Sequence, residues 1–485
     1  MKKTLSILCI ILLIIMVGCS TEQPKSGSTL TIYTVNDLHG SVENDRGGLG
    51  VLGTFLISAK EANPESTLIL SSGDMWQGTA ISNMSQGAVI VEAMNEIGFD
   101  AMTIGNHEFD WGIDVIRNYQ NGEDLDSAVP FIAANIYDRQ TNLPVDWAQP
   151  YTIVQKGDVR VGIIGLIGSN LESTIAPSIV APYEFQEVLP IVKEHTKTLR
   201  TEQDVDVVIL SIHGNKRDQH QEFADLVGEY KIDAVIDAHT HSTYAGETRG
   251  ISQVPMPYVQ AGSSGSHIGR IVLYLDANNV VYDGSASLVT LNARMASNNA
   301  AIQAIIAKYK DEVALISDEV LGVSAFEVNR SIGTAWAADV MQKRTQKDIG
   351  IINTGGIRAS GFPILDKEEV TVGHVWEIMP FDNTVVFVDI QAKDIINVMS
   401  MTSIKLSANA HISGGSLYIN SEPIGMDEWI SVATIDFLFD NTNYPFLSGQ
   451  NIQRTGALYR DYLIEDIRKA CLDGSNWFAE AQDYD

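Results

Sequence analysis

The sequence predicts an α/β fold in two units, and three observations carry that expectation. From Leu30 to about Leu291, short apolar runs alternate with helical or glycine-rich stretches, the pattern of strands buried on both faces. Several of these runs end in Asp, Asn or His, and open α/β sheets bind their ligands at the carboxyl ends of strands. A chain of 485 residues is also long for one core, and 45% hydrophobic with 19% charged residues leaves ample material for two.

Taken in order, the chain opens with Lys2, Lys3, an apolar run from Leu5 to Val17, and then Gly18-Cys19-Ser20. That run is too short and too one-sided to span a bilayer and reads as a processing signal. Its Met16-Val-Gly-Cys19 end resembles a bacterial lipobox, with Met in place of the usual Leu. The resemblance implies a lipoprotein signal over residues 1–19 and a lipid anchor on Cys19; the alternative is ordinary secretion with cleavage nearby. Residues 20–29 are polar and form a tether. A first domain over 30–291 is expected to hold strands at Leu30–Val35, Thr67–Leu70, Ala101–Ile104, Phe131–Ala133, Val159–Leu166, Val205–Ile212 and Ile232–Ile236. Within a connecting segment, 292–320, apolar residues from Asn298 to about Ile316 recur at helical spacing. A second domain over 321–485 mixes helices (Thr334–Lys347, Ala392–Thr402) with strands (Ile349–Asn353, Thr384–Val388, Trp429–Ala433).

Charge and cysteine content narrow the function. With 32 basic against 61 acidic residues the formal charge is -29, so the surface repels nucleic-acid backbones and anionic headgroups. A nucleic-acid polymer is excluded as a partner. A small anionic substrate would need a local positive centre, which bound metal ions supply. Of three cysteines, Cys9 lies in the expected signal, Cys19 at the expected anchor and Cys471 in the second domain, so no disulfide is expected.

The stretch Thr103-Ile-Gly-Asn-His-Glu-Phe-Asp110 is the centre of the chemistry. A helix N-cap would account for Asn106, Glu108 and Asp110 and leave His107 unexplained. With His107 in a first turn, Asp110 at i+3 shares its face and can fix its tautomer. Other strand ends carry matching groups: Asp37 and His39 at i and i+2, Asp74 after Ser71-Ser-Gly, His213 before Gly214, and His239 and His241 around Thr240. Asp37, His39, Asp74, Asn106, His213, His239 and His241 are too many ligands for one tetrahedral ion, whereas two ions sharing a carboxylate fit. Mixed imidazole and oxygen donors suit Zn, Mn, Fe or Co better than Mg or Ca. His195, His220, His267, His374 and His411 lack such company and read as structural or surface residues.

Asn-Asp-x-His-Gly, Ser-Gly-Asp, Gly-Asn-His-Glu-Phe-Asp, His-Gly and Ala-His-Thr-His, in this order, resemble the metallophosphoesterase domain of the secreted bacterial 5'-nucleotidase and UDP-sugar hydrolase family. The resemblance covers nearly all the chain after the tether. It implies a calcineurin-like sandwich of four α/β/β/α layers followed by an α+β nucleotide-binding domain. It also implies two divalent ions, Zn, Mn or Co, that activate water against a phosphoester. Asp37, His39, Asp74 and His241 would hold one ion, and Asp74, Asn106, His213 and His239 the other. His107, oriented by Asp110, would contact the phosphoryl group.

In the second domain, Asn353-Thr-Gly-Gly-Ile-Arg358 resembles the family's nucleotide site, with Arg358 on phosphate or ribose and Asn353 on the base. Pro380-Phe381-Asp-Asn383 resembles a further element in which Phe381 stacks on the base and Asn383 lies beside it. Departures follow: Asp440-Asn-Thr-Asn-Tyr444 replaces a Gly-Gly-Asp-x-aromatic loop, which leaves Tyr444 as the second stacking ring. Gln450 stands where a ribose-binding Asp is usual, and Val328 where an earlier Arg is, with Arg330 two residues on. The resemblance implies a membrane-anchored lipoprotein at the cell surface or in the periplasm that hydrolyses small-molecule nucleotides to nucleoside and phosphate. Alternatives are a 2',3'-cyclic-nucleotide 2'-phosphodiesterase with 3'-nucleotidase activity, a UDP-sugar hydrolase, or a nucleotide-binding surface lipoprotein without turnover.

Overall fold

The computed structural model describes residues 27–121, 127–214, 217–399, 403–472 and 474–478. Cys19 and the signal lie outside the described residues, as does the 400–402 end of the second expected helix. The first unit is built on two six-stranded sheets. One runs in the order Val281–Thr290, His267–Leu275, Ser28–Val35, Thr67–Ser71, Ala101–Thr103, Phe131–Ile132. Its last four strands are parallel, His267–Leu275 runs antiparallel to them, and Val281–Thr290 pairs antiparallel with His267–Leu275. The other runs Thr243–Arg249, Pro255–Ala261, Ala234–Asp237, Val207–His213, Val159–Ile167, Tyr151–Lys156, with the four inner strands parallel and both edges antiparallel.

Period-two alternation sorts each strand's side chains between two cores. Leu30 and Ile32 of one sheet meet Val161, Ile163, Val207 and Ile209 of the other between the sheets. Val35 and Ile69 face outward into a core with the helices Gly48–Ala62 and Ala88–Ile97. Ile164, Leu166, Val208 and Leu210 pack outward with Val188–Thr201. These are the four α/β/β/α layers, and a strand apolar on both faces reads in sequence as an unbroken run. A buried hydroxyl cluster ties the sheets together beside the ligand-bearing ends: Ser211 Oγ lies 2.8 Å from Ser72 Oγ and accepts from Thr103 Oγ1 at 2.6 Å.

Sequence runs located the inner strands to within two residues, and missed Tyr151–Lys156, Thr243–Arg249, Pro255–Ala261, His267–Leu275 and Val281–Thr290. Thr243–Arg249 and Val281–Thr290 are edge strands with exposed or half-buried alternate residues, so no continuous apolar run marks them. The connecting helix forms as Ala300–Ser317, capped by Asn299 Oδ1 on the Ile302 N–H at 3.1 Å. It is no free spacer: Ile302, Ile305, Ile306 and Tyr309 are buried in the outer layer of the first unit. The Val372 N–H, at the start of the helix Val372–Ile378, donates to the Glu319 carbonyl just beyond its end.

The second unit has a mixed five-stranded sheet in the order Ile404–Leu406, Ile349–Asn353, Trp429–Ile435, Thr384–Gln391, Gln450–Leu458. Arg330–Thr345 and Tyr459–Ala470 pack into its core. The former begins four residues before the expected Thr334 because Asn329 Oδ1 caps the Ile332 N–H.

Candidate metal centre and cleft

Parallel strands bring the polar strand ends to one edge of the sandwich. Asp37, His39 and Asp74 are buried, and with His239 and His241 they adopt positive φ, from 50° to 72°. L-residues pay for that conformation, and it persists where surrounding contacts over-determine it, typically at functional sites. Those contacts are visible here: Asp37 N–H donates to the Gly73 carbonyl, His39 N–H to the Asp74 carbonyl, and His239 N–H to the Asp37 carboxylate, all at 3.0 Å.

The imidazoles are held with lone pairs inward. His39 Nδ1–H donates to the Gln77 carbonyl at 2.9 Å and His213 Nδ1–H to the Ser72 carbonyl at 2.7 Å, which leaves each Nε2 facing the cluster. Two groups of donors result. His39 Nε2 lies 3.0 Å from His241 Nε2, which lies 3.6 Å from Asp37 Oδ1. His213 Nε2 lies 3.2 Å from Asp74 Oδ2 and 3.1 Å from Asn106 Oδ1, and His239 Nδ1 lies 3.0 Å from that same Asn106 oxygen. Asp74 Oδ2 is also 4.0 Å from His39 Nε2, so one carboxylate oxygen faces both groups. Donors bound to a common ion at ~2.0–2.2 Å stand ~3–3.6 Å apart, and the residues present therefore fit divalent metal.

Electrostatics point the same way. Burial lowers the pKa of His39 and His241 and brings His239 down to about 4, so these rings are neutral, the form that offers a lone pair. Burial pushes the Asp37 carboxyl up to about 7. At His213 burial, which would lower it, is outweighed by the Asp74 carboxylate, which raises it to about 9.

Next to this cluster His107 begins a short 3-10 turn, His107–Phe109. Its Nδ1–H donates to Asp110 Oδ2 at 2.8 Å, the i+3 pairing expected from sequence, and its backbone N–H donates to Asp74 Oδ1 at 2.9 Å. Burial alone would lower the His107 pKa, but the Asp110 and Asp74 carboxylates outweigh it and raise it. The capping reading of this stretch fails: Asn106 makes no side-chain cap, its oxygen being turned to His213 and His239. Glu108, read as a helix-dipole residue, is completely buried and accepts the N–H groups of Asp74, Met75 and Gly105. Burial, then the Asp74 carboxylate, push its carboxyl up to about 7, and the amide donors oppose that rise.

The cluster opens into a cleft of about 380 Å³ between the two units. Asn106, His107, Asp110 and His239 line one side, Asn353, Arg358, Phe381 and Asn383 the other. Phe381 lies with its centroid 5.9 Å from that of His107, and the Arg358 guanidinium carbon sits 5.7 Å from the Phe381 ring. Asn353 Oδ1 is buried without a hydrogen-bond partner.

Residues 30–243 match the family model for the calcineurin-like phosphoesterases, and residues 327–425 that for the 5'-nucleotidase C-terminal domain. The chain joins a calcineurin-like metallophosphoesterase domain to a 5'-nucleotidase C-terminal domain. It is 28% identical over 413 residues to endonuclease YhcR of Bacillus subtilis, an alignment covering 78% of the chain and spanning only 33% of that longer protein. A 5'-nucleotidase of Vibrio vulnificus is 22% identical over 543 residues, with 96% of the chain and 95% of the relative covered. The solved 5'-nucleotidase precursor of Thermus thermophilus shares the fold at a TM-score of 0.76 and 21% identity, covering 91% of this chain and 96% of that one. This phosphoesterase is thus a hydrolase of a family that uses divalent metals, and its His/Asp cluster has the donors to hold them.

Within the metallophosphoesterase, several expectations about the cleft change. Tyr444 is not among the residues lining it; its ring lies 6.2 Å from Phe446, just before the turn Pro445–Ser448. Phe437, in the helix Asp436–Asp440, lines the wall instead. Gln450 is exposed at the start of an edge strand and Val328 is buried in the core, so neither stands in for a ligand-binding residue. Arg330 braces the glycine turn, donating to the carbonyls of Ile357 and Thr354 at 2.8 and 2.9 Å. Arg460 went unnoticed in sequence: buried under Trp376, it donates to the carbonyls of Met379 and Phe381 at 3.2 Å and to Asp382, fixing the Phe381 loop. Of the histidines read as structural or surface, His220 is structural: it is buried, and its Nε2 lies 2.8 Å from Asp237, at the end of the strand that leads to His239. Among the described residues no helix is long and apolar enough to cross a membrane.

Proposed function

We propose that this phosphoesterase hydrolyses nucleotides to nucleoside and phosphate at a two-ion centre. The observation that carries the reading is the pair of His/Asp groups facing a common Asp74 oxygen, set beside the His107–Asp110 pair at the mouth of a cleft that spans both units. Asp37, His39 and His241 would hold one ion, Asn106, His213 and His239 the other, with Asp74 shared. When bound, such ions supply Lewis acidity toward the phosphoryl oxygens and a nucleophilic water at neutral pH. His107, held by Asp110, hydrogen-bonds the phosphoryl group and stabilises the charge that develops there. Arg358 holds phosphate or ribose through its fork of donors, Asn353 and Asn383 bond the base, and Phe381 stacks on it.

In this reading residues 30–291 are the metal domain, 292–320 the connector and 321–485 the substrate domain. The lipobox-like end at Cys19 makes the protein an extracytoplasmic, membrane-anchored lipoprotein. Purified protein is to be assayed with Mn²⁺ on AMP, UDP-glucose and 2',3'-cyclic AMP, with a chelator control. Metal-dependent phosphate release from AMP is expected. Turnover confined to the cyclic nucleotide or the UDP-sugar would replace this reading with one of those activities, and no turnover of any of them would leave a binding protein.

A further inference from the structure

Glu108 sits inside the signature stretch, yet it neither lines the cleft nor belongs to the donor groups. It joins the two loops that deliver Asp74 and Asn106. These loops follow the neighbouring strands Thr67–Ser71 and Ala101–Thr103, whose ladder ends at Ser71 paired with Met102. Beyond that point the Glu108 carboxylate takes over from the ladder. Its Oε2 accepts the Asp74 N–H at 2.9 Å and the Gly105 N–H at 2.7 Å, and its Oε1 accepts the Met75 N–H at 2.8 Å. In return Asp74 Oδ1 accepts the His107 N–H at 2.9 Å, so each loop supplies a carboxylate to the amides of the other.

The joint has no slack. A Cβ on Gly105 would stand 2.3 Å from Asp74 Oδ1 and 2.9 Å from Glu108 Oε2, and one on Gly73 would stand 2.8 Å from His213 Nδ1. Two acceptor oxygens are also the chemistry the joint requires, since three N–H donors converge on them. An amide of the same shape would present its NH₂ to at least one of those donors.

We infer that Glu108 is a positioning residue that sets the separation of Asp74 from Asn106, and through it the affinity of the centre for its ions. Groups that orient metal ligands typically cost 10–100-fold in metal affinity when altered. The decisive variant is Glu108→Gln, which keeps the volume and inverts one hydrogen bond. Metal-free wild type and variant are to be titrated with Mn²⁺ alone by calorimetry, and their unfolding temperatures measured with and without the ion. No substrate enters the test, so its outcome is independent of the nucleotidase reading.

The expected result is a folded variant whose Mn²⁺ affinity falls by roughly 10–100-fold and whose stabilisation by a fixed Mn²⁺ concentration shrinks in step. Wild-type Mn²⁺ affinity in the variant would overturn the inference. So would a Glu108→Gln chain that does not fold, or one less stable whose Mn²⁺ increment equals that of the wild type, since either makes Glu108 a residue of the fold alone.

Discussion

The wall of the cleft offers a sharp test, because the resemblance names Tyr444 as the second stacking ring and the structure puts Phe437 there. Truncating a ring that stacks on a base costs ~1–3 kcal/mol, which corresponds to a ~5- to 150-fold rise in KM. Phe437→Ala should therefore raise KM for AMP within that range and leave kcat/KM for a small aryl phosphate within about twofold. Phe381→Ala should behave differently. Its ring also contacts Arg358 at 5.7 Å and lies 5.9 Å from His107, so its loss frees two groups that act on the phosphoryl end. Both AMP and the aryl phosphate should suffer in that variant, AMP more. Tyr444→Ala should change neither substrate. Steady-state phosphate release at saturating Mn²⁺ reads all three variants. A Tyr444→Ala enzyme as impaired on AMP as Phe437→Ala would refute the assignment, as would a Phe437→Ala enzyme with wild-type KM.

Other perturbations test the remaining links. Asp74→Ala should abolish activity and deplete both ions by metal analysis, since Asp74 Oδ2 faces both donor groups; retention of two metals would contradict a shared carboxylate. His107→Ala should lower kcat by ~10²–10⁴ with metal content intact, and Asp110→Asn should do the same to a smaller extent; loss of metal from His107→Ala would make it a ligand. Glu377, pushed up from 4.5 to about 7 by burial, contributes stability that is fully present below pH 4.5 and lost as pH rises through about 7. Glu377→Gln should accordingly raise the unfolding temperature at pH 8 relative to wild type and show no such gain at pH 4, measured by calorimetry.

Local chemistry is what the amino-acid order determined unaided. Parallel strands buried on both faces must be apolar throughout, so Thr67–Ser71 and Val207–His213 announced themselves, and their ends exposed Asp74 and His213 as candidates. His107 and Asp110 are three residues apart, and a single turn is enough to pair them. Tertiary structure alone decided the rest, because each remaining feature depends on chain segments far apart in sequence or on backbone shape. Positive φ at Asp37, His39, Asp74, His239 and His241 is not fixed by residue type: Asp and His tolerate it better than most side chains, but only the neighbours decide which of them is held there. Glu108 looked like any first-turn acid until a loop some thirty residues earlier delivered two amides to it, beside that of Gly105. Arg460 reaches the Phe381 loop from a helix about eighty residues away, and Phe437 displaces Tyr444 from the cleft because the turn after Tyr444 carries that ring toward Phe446. Periodicity reports which face of an element is buried; only the packed fold settles what that face meets.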